Sequence, residues 1–177
     1  MTARARVNLT LRGFSRQRAV PVEEVERVIR RLPDGHLEGL REIIYCAGEP
    51  LHYPSLGAAS AASGLAEYVQ SARTIFVYST EDPALFRHVL RHEIGHHVFF
   101  LRVESALKKE WATWLYPGSE CATPYGYASL AEDFAECYAL YAREPALLAD
   151  FPEKLAFMRE VFSGRPGALR EDRSPTR

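Results

Sequence analysis

The pentapeptide His92-Glu93-Ile94-Gly95-His96 is the stretch of the chain best suited to chemistry. On a helix, a spacing of four residues places both imidazoles one turn apart on the same face, where they can bind one metal ion. Glu93 then lies beside the metal, where a carboxylate can take a proton from a zinc-bound water whose pKa the metal has lowered. The motif therefore predicts a zinc site with His92 and His96 as ligands and Glu93 as general base.

A catalytic zinc site needs a third protein ligand, and the acidic segment Glu132-Asp133-Phe134-Ala135-Glu136 can supply it. Glu132 and Glu136 are one helical turn apart, so both can face the histidine helix. One can bind the metal while the other accepts a hydrogen bond from a ligand histidine. Asp133 lies about 100° around the helix from Glu132 and is expected to point away. Spacing and reach favour Glu132 as the ligand and Glu136 as the hydrogen-bonding partner.

The remaining histidines are weaker candidates. His88 lies one turn before the motif, but three ligands on one straight helix reach a tetrahedral metal poorly. His97 points about 100° away from His96 and is expected to be packed or partly exposed. His36 and His52 lie in loops without partners in the sequence, and we expect them to be surface residues.

We expect most of the large aromatic residues and the cysteines to be core residues. Phe99, Trp111 and Trp114 occupy helical positions, where such side chains more often belong to the core than to a substrate platform. The cysteines are widely spaced and form no CxxC pair, so we expect small buried hydrophobic side chains at Cys46, Cys121 and Cys137.

The elements that must position these residues follow from hydrophobic periodicity and from prolines at helix starts. The sequence predicts strands over 41–46, 65–69 and 73–78, and helices over 21–32, 83–103, 105–115, 130–143 and 152–162. Residues 117–127 read as a loop. The predicted order of elements is one helix, then strands, then helices only. This order indicates an α+β fold with a small mixed sheet in the N-terminal half.

Length and composition predict one domain. The chain has 177 residues, 47% of them hydrophobic, which suffices for a single core. We expect a catalytic domain over 1–163, with an unpatterned arm over 1–20, and a disordered tail over 164–177. A formal net charge of −1 favours neither nucleic acid nor an anionic membrane as a partner. The sequence has no secretory signal and no run of 18 apolar residues, so the expected location is the cytoplasm.

Taken together, the HExxH motif, the Tyr125-Gly126 element and the 132–136 segment resemble the zinc peptidases called gluzincins. The likeness is to the catalytic domain of anthrax lethal factor and to the clostridial Pro-Pro endopeptidases, and it is specific over about 74–141. It implies a zincin-like fold that hydrolyses peptide bonds in a peptide or protein substrate. In this family a tyrosine seven residues before the ligand glutamate stabilises the oxyanion, which implies that role for Tyr125, with Tyr127 as a second candidate. The resemblance assigns Glu132 and Glu136 as the spacing does.

Two other functions are compatible with the motif. An intracellular regulatory protease of the ImmA/IrrE type would also be a cytosolic zinc enzyme, although such proteins usually carry a DNA-binding or sensor segment that is not evident here. A catalytically silent zincin-fold binding protein is the non-enzymatic alternative. The presence of Glu93 weighs against it, because a metal site kept only for structure does not need a general base.

Overall fold

The computed structural model describes residues 9–17, 19–46, 65–78, 82–116 and 118–163. The fold is α+β, and the described part contains five α-helices: α1 (Val22–Ile29), α2 (Pro83–Leu101), α3 (Ser105–Glu110), α4 (Leu130–Arg143) and α5 (Pro152–Ser163). The predicted tail over 164–177, the first eight residues of the arm and His52 lie outside the described residues. No described helix combines the length and hydropathy that a membrane span requires.

The predicted small mixed sheet is present, and it contains four short strands where the sequence predicted three. They are β1 (Thr10–Arg12), β2 (Glu42–Tyr45), β3 (Ala66–Val69) and β4 (Thr74–Val77), in the order β1-β2-β4-β3. β1 and β2 run parallel, as do β2 and β4, whereas β3 runs antiparallel to β4. β1 lies within the arm over 1–20, for which the sequence predicted no element. Its three residues are too few to show an alternating pattern, and pairing with β2 defines the strand.

Helix α2 lies at the centre of the protein. It begins where the Asp82 side chain accepts hydrogen bonds from the backbone N–H groups of Ala84 and Leu85 at 2.7 and 3.2 Å, with Pro83 in the first turn. Every residue from Val89 to Phe99 is buried, including the whole HExxH motif. Burial on all sides holds the motif rigid and keeps most of it from water.

Helices α2 and α4 cross at Gly95, where they approach very closely. A Cβ atom built on Gly95 would lie 3.0 Å from the Cα of Ala135 and 3.1 Å from the Cβ of Tyr138. Glycine on one helix opposite alanine on the other therefore lets the two backbones meet. This contact sets the distance between the histidines on α2 and the carboxylates on α4.

Two predictions about single side chains are wrong. His36 is buried and not on the surface. Its Nδ1 lies 2.8 Å from the hydroxyl of Tyr138, and its Nε2 lies 3.1 Å from the carbonyl oxygen of Val161. Trp114 is 62% exposed, whereas Phe99 and Trp111 are buried as predicted. The turn from Trp111 to Leu115 is π-helical, and its wider winding carries Trp114 off the buried face. Of the cysteines, two are buried as predicted and Cys46 is half-buried.

Gly95→Ala tests whether the helix contact sets the geometry of the site. We expect this variant to be less stable and to bind Zn²⁺ more weakly, because the added methyl group must push the α4 backbone away from the histidines. Gly35→Ala is the matched control, since a Cβ there meets no atom within 4 Å. Chemical denaturation and zinc competition titrations measure both effects. Unchanged zinc affinity in a folded Gly95→Ala protein would contradict the account.

Candidate metal centre

His92, His96 and Glu132 converge on one point between α2 and α4. The Nε2 atoms of the two histidines are 3.0 Å apart, and Glu132 Oε2 lies 2.9 Å from Nε2 of His92 and 3.3 Å from Nε2 of His96. All three side chains are buried. This group could hold a metal ion, and it is the set that spacing selected in the sequence.

The start of α4 fixes the position of Glu132. The Ser129 hydroxyl accepts a hydrogen bond from the backbone N–H of Glu132 at 3.2 Å, so Ser129 is the N-cap and the helix begins at Leu130. In a capping box, a glutamate at this position would turn back to the N-cap backbone. Here the Glu132 side chain instead points into the protein, where it is completely buried.

Glu136 orients His92 through a hydrogen bond. Its Oε1 lies 2.7 Å from Nδ1 of His92 and 3.1 Å from Nε2 of His88. A carboxylate only accepts, so His92 donates from Nδ1 and turns Nε2 toward Glu132 and His96. His88 thus contacts Glu136 and is not part of the group of three that could hold a metal ion. Its contact with Glu136 was not predicted, although its position one turn before His92 is a signal that would have suggested it.

Unpaired polar atoms mark the centre of this group. Within the described part of the chain, no hydrogen bond of good geometry reaches either carboxylate oxygen of Glu132, although Oε2 lies 2.9 Å from Nε2 of His92, and none reaches Nδ1 of His96. A buried carboxylate left without compensation costs several kcal/mol on the order-of-magnitude scale for buried charges. The donor set of two imidazoles and a carboxylate therefore fits a divalent cation, which would compensate this carboxylate.

The charges of the group are coupled. Burial lowers the pKa of His92, but the carboxylates of Glu132 and Glu136 outweigh burial and raise it to about 10. Burial raises the pKa of Glu132, but the imidazoles of His92 and His96 outweigh it and lower the pKa to about 2. The two carboxylates thus favour the charged form of His92, and a metal ion bound at its Nε2 must displace the proton from that nitrogen.

Glu93 lies beside the ligands with one oxygen fixed. It is 1% exposed, and burial raises its pKa although the imidazoles of His92 and His96 act in the opposite direction. Its carboxylate accepts a hydrogen bond from the backbone N–H of Tyr68 in β3. Its Oε2 has no hydrogen-bond partner among the described residues. The β3 backbone therefore holds one side of the Glu93 carboxylate.

The outer edge of β3 borders this site. Tyr78 N–H donates to the carbonyl of Leu65 at 2.7 Å, and backbone groups alternate in direction along an antiparallel strand. Ala66 and Tyr68 therefore direct their N–H and C=O groups away from β4, which agrees with the bond from Tyr68 to Glu93. No described strand pairs with this edge.

His97 fixes β3 against α2. Its Nε2 lies 3.2 Å from the carbonyl oxygen of Glu38, so Nε2 carries the proton, and its Nδ1 accepts from the Tyr68 hydroxyl at 3.1 Å. Burial lowers the pKa of His97 to about 4, so the ring is neutral at pH 7. The predicted packed position of His97 is confirmed, and it holds in place the residue that anchors Glu93.

Two tyrosines were candidates to stabilise an oxyanion, and they occupy different environments. The ring centroid of Tyr125 lies 5.6 Å from that of His92, and the residue is partly buried. Tyr127 is 61% exposed, and its carbonyl oxygen accepts a hydrogen bond from the Tyr116 hydroxyl at 3.4 Å. The position of Tyr125 beside a ligand supports its assignment over Tyr127.

Phe100 is a neighbour of the site that the sequence did not single out. Its ring stacks on that of His96, with centroids 6.2 Å apart and an angle of 18° between the planes, and 37% of the residue is exposed. It lies one helical turn after His96, which is the signal that could have identified it.

Comparisons with family models, with curated proteins and with solved structures found no match. The assignment of the site therefore depends on its geometry and on the residues themselves.

Removing each carboxylate in turn tests the assignment of ligand and hydrogen-bonding partner. Glu132→Ala should abolish tight Zn²⁺ binding, because it deletes one of three ligands. Glu136→Gln should weaken binding by roughly 10- to 100-fold, as loss of a bond to a ligand histidine does. Competition titrations with a zinc chelator measure both. A larger loss in Glu136→Gln than in Glu132→Ala would reverse the assignment.

Proposed function

We propose that this protein is a zinc-dependent metallopeptidase with a zincin-like fold, which hydrolyses peptide bonds in peptides or proteins. The observation that carries the proposal is the position of Glu93. Its buried carboxylate has one oxygen held by the β3 backbone and the other without a partner in the described chain, beside three converging ligand atoms. A site built only to bind a metal has no need of such a carboxylate.

The ligand set supports zinc as the metal. Zinc is commonly bound by imidazole nitrogen and carboxylate oxygen at about 2.0–2.1 Å, which places tetrahedral ligand atoms about 3.3 Å apart. The three distances of 2.9, 3.0 and 3.3 Å are close to that spacing. Catalytic zinc sites use three protein ligands and leave one position open, whereas structural sites are closed by four.

The metal and the residues around it would each have a separate role in hydrolysis. A bound zinc ion would supply Lewis-acid chemistry, which acidifies water and polarises a carbonyl group. The free oxygen of Glu93 takes a proton from the attacking water and later gives it to the leaving amine nitrogen. The Tyr125 hydroxyl donates a hydrogen bond to the carbonyl oxygen as negative charge develops there. No covalent intermediate with the protein is required.

The outer edge of β3 suits an extended peptide. The backbone groups of Ala66 and the carbonyl of Tyr68 face away from β4, and an added strand can pair with them. Because Tyr68 N–H is occupied by Glu93, a peptide paired at this edge would pass directly over the general base. Strand β3 would then hold both the substrate peptide and the carboxylate of Glu93.

A cleavage assay on a proteome-derived peptide library tests the function itself. We expect cleavage that a chelator abolishes and that added Zn²⁺ restores. Zinc binding without cleavage of any peptide would favour the catalytically silent binding protein. Cleavage confined to one protein substrate would favour the regulatory protease of the ImmA/IrrE type.

Glu93→Gln separates the general base from the metal site. The amide keeps the shape of the side chain but cannot accept the proton, so the variant should bind zinc normally and lose nearly all turnover. Glu104→Gln, an exposed glutamate at the start of α3, is the control and should have no effect. Steady-state kinetics and metal analysis give the two readouts, and substantial activity in Glu93→Gln would exclude Glu93 as the base.

Tyr125→Phe and Tyr127→Phe form a matched pair. Loss of one hydrogen-bond donor to an oxyanion lowers kcat by roughly 10²-fold or more. We therefore expect such a fall in kcat for Tyr125→Phe with little change in KM, and nearly normal kinetics for Tyr127→Phe. The opposite result would transfer the role to Tyr127.

A further inference from the structure

A second buried charge pair lies behind the ligand helix. The Lys154 ammonium group on α5 lies 2.8 Å from each carboxylate oxygen of Asp133 on α4, and both side chains are completely buried. The ammonium group also lies over the Trp111 ring, 5.6 Å from its centroid. Asp133 thus points away from the metal centre, as expected, but into this pair and not into solvent.

The same two side chains bind the segment that carries Tyr125. Lys154 donates to the carbonyl oxygen of Glu120 at 2.8 Å. The Asp133 carboxylate accepts hydrogen bonds from the Cys121 thiol and from the backbone N–H of Ala122. Three consecutive residues of the segment 120–126 are therefore attached to one ion pair.

Contacts continue to the residue next to Tyr125. A Cβ atom built on Gly126 would lie 3.1 Å from Oδ1 of Asp133 and 3.0 Å from the Cβ of Cys121, so glycine allows the segment to lie flat on α4. Tyr125 directly precedes Gly126, and its ring lies beside that of His92. The segment 120–126 has no helix or strand before residue 124, so these contacts determine its path.

Stability alone does not explain a buried ion pair at this position. Well-packed apolar residues of similar size often stabilise a protein as well or better, because burying two charges costs desolvation energy. An ion pair with several fixed hydrogen bonds does specify one arrangement of the groups it joins.

We propose that Asp133 and Lys154 are positioning residues that fix the segment 120–126 on α4 and thereby place the Tyr125 hydroxyl at the metal centre. The role given to Tyr125 depends on the proposed function. The attachment of the segment does not, and the two can be tested separately.

The central variant is Asp133→Leu/Lys154→Met, which keeps the shapes of both side chains and leaves no unpaired buried charge. In the zinc-loaded protein, amide hydrogen exchange over residues 120–126 should rise by roughly tenfold or more, while exchange over 90–99 in α2 stays unchanged. Tyr138→Phe is the control for general destabilisation, because it removes a buried hydrogen bond to His36 elsewhere on α4. It should leave exchange over 120–126 as in the wild type.

Asp133→Asn is the conservative variant and covers the case in which the double variant does not fold. The amide oxygen can still accept from Lys154 and Ala122, so exchange over 120–126 should fall between the wild type and the double variant. Wild-type exchange in a folded double variant would overturn the proposal. An increase in exchange spread evenly over the whole protein would also overturn it. If the double variant does not fold, wild-type exchange over 120–126 in Asp133→Asn would overturn it.

Kinetics test whether the pair acts through Tyr125. We expect the double variant to lower kcat by roughly tenfold or more, with zinc affinity and KM within about threefold of wild type. Combined with Tyr125→Phe, it should cause little further loss, because the hydroxyl to be positioned is already absent. Fully additive losses would show that the pair does not act through Tyr125. If the wild-type protein cleaves no peptide, the proposed function fails, and hydrogen exchange alone decides the attachment.

Discussion

The close contact of α2 and α4 at Gly95 and Ala135 is the constraint on which the metal centre depends. Imidazole and carboxylate side chains are short, so ligands from two helices can meet only when the backbones nearly touch. A Cβ at Gly95 would lie 3.0 Å from the Ala135 backbone, which shows how little space remains there. With the helices at this distance, Glu132 and Glu136 both face His92, and one lies on each side of its ring.

Burying so many charges together requires that each be compensated. Glu136 is satisfied by His88 and His92, which hold its pKa well below the usual range although burial acts in the opposite direction. Asp133 is satisfied by Lys154. Glu132 is satisfied only by a proton on a neighbouring imidazole or by a metal ion. The three neighbouring carboxylates of α4 therefore have three different environments, which suit a metal ligand at Glu132, a group that orients His92 at Glu136 and a buried ion pair at Asp133.

The sequence predicted the parts of the site that depend on local spacing. Helical periodicity predicts that the two histidines of the HExxH motif share a face of α2. It also predicts that α4 begins near Leu130 and that Glu132 and Glu136 lie one turn apart. The α+β order and the mixed sheet were also predictable. The partners of His36 and Asp133 were not, because they lie 102 and 21 residues away and no local pattern encodes such contacts. Trp114 was misplaced because a π-helical turn does not follow the periodicity of an α-helix.

Anomalous diffraction from crystals of the zinc-loaded protein can show whether His92, His96 and Glu132 bind one zinc ion. Data collected on both sides of the zinc absorption edge locate the metal independently of any assumption about activity. The account predicts one peak per chain, about 2.0–2.2 Å from Nε2 of His92, Nε2 of His96 and a carboxylate oxygen of Glu132. A peak bound by other residues, or none at this site in crystals grown with excess zinc, would contradict it.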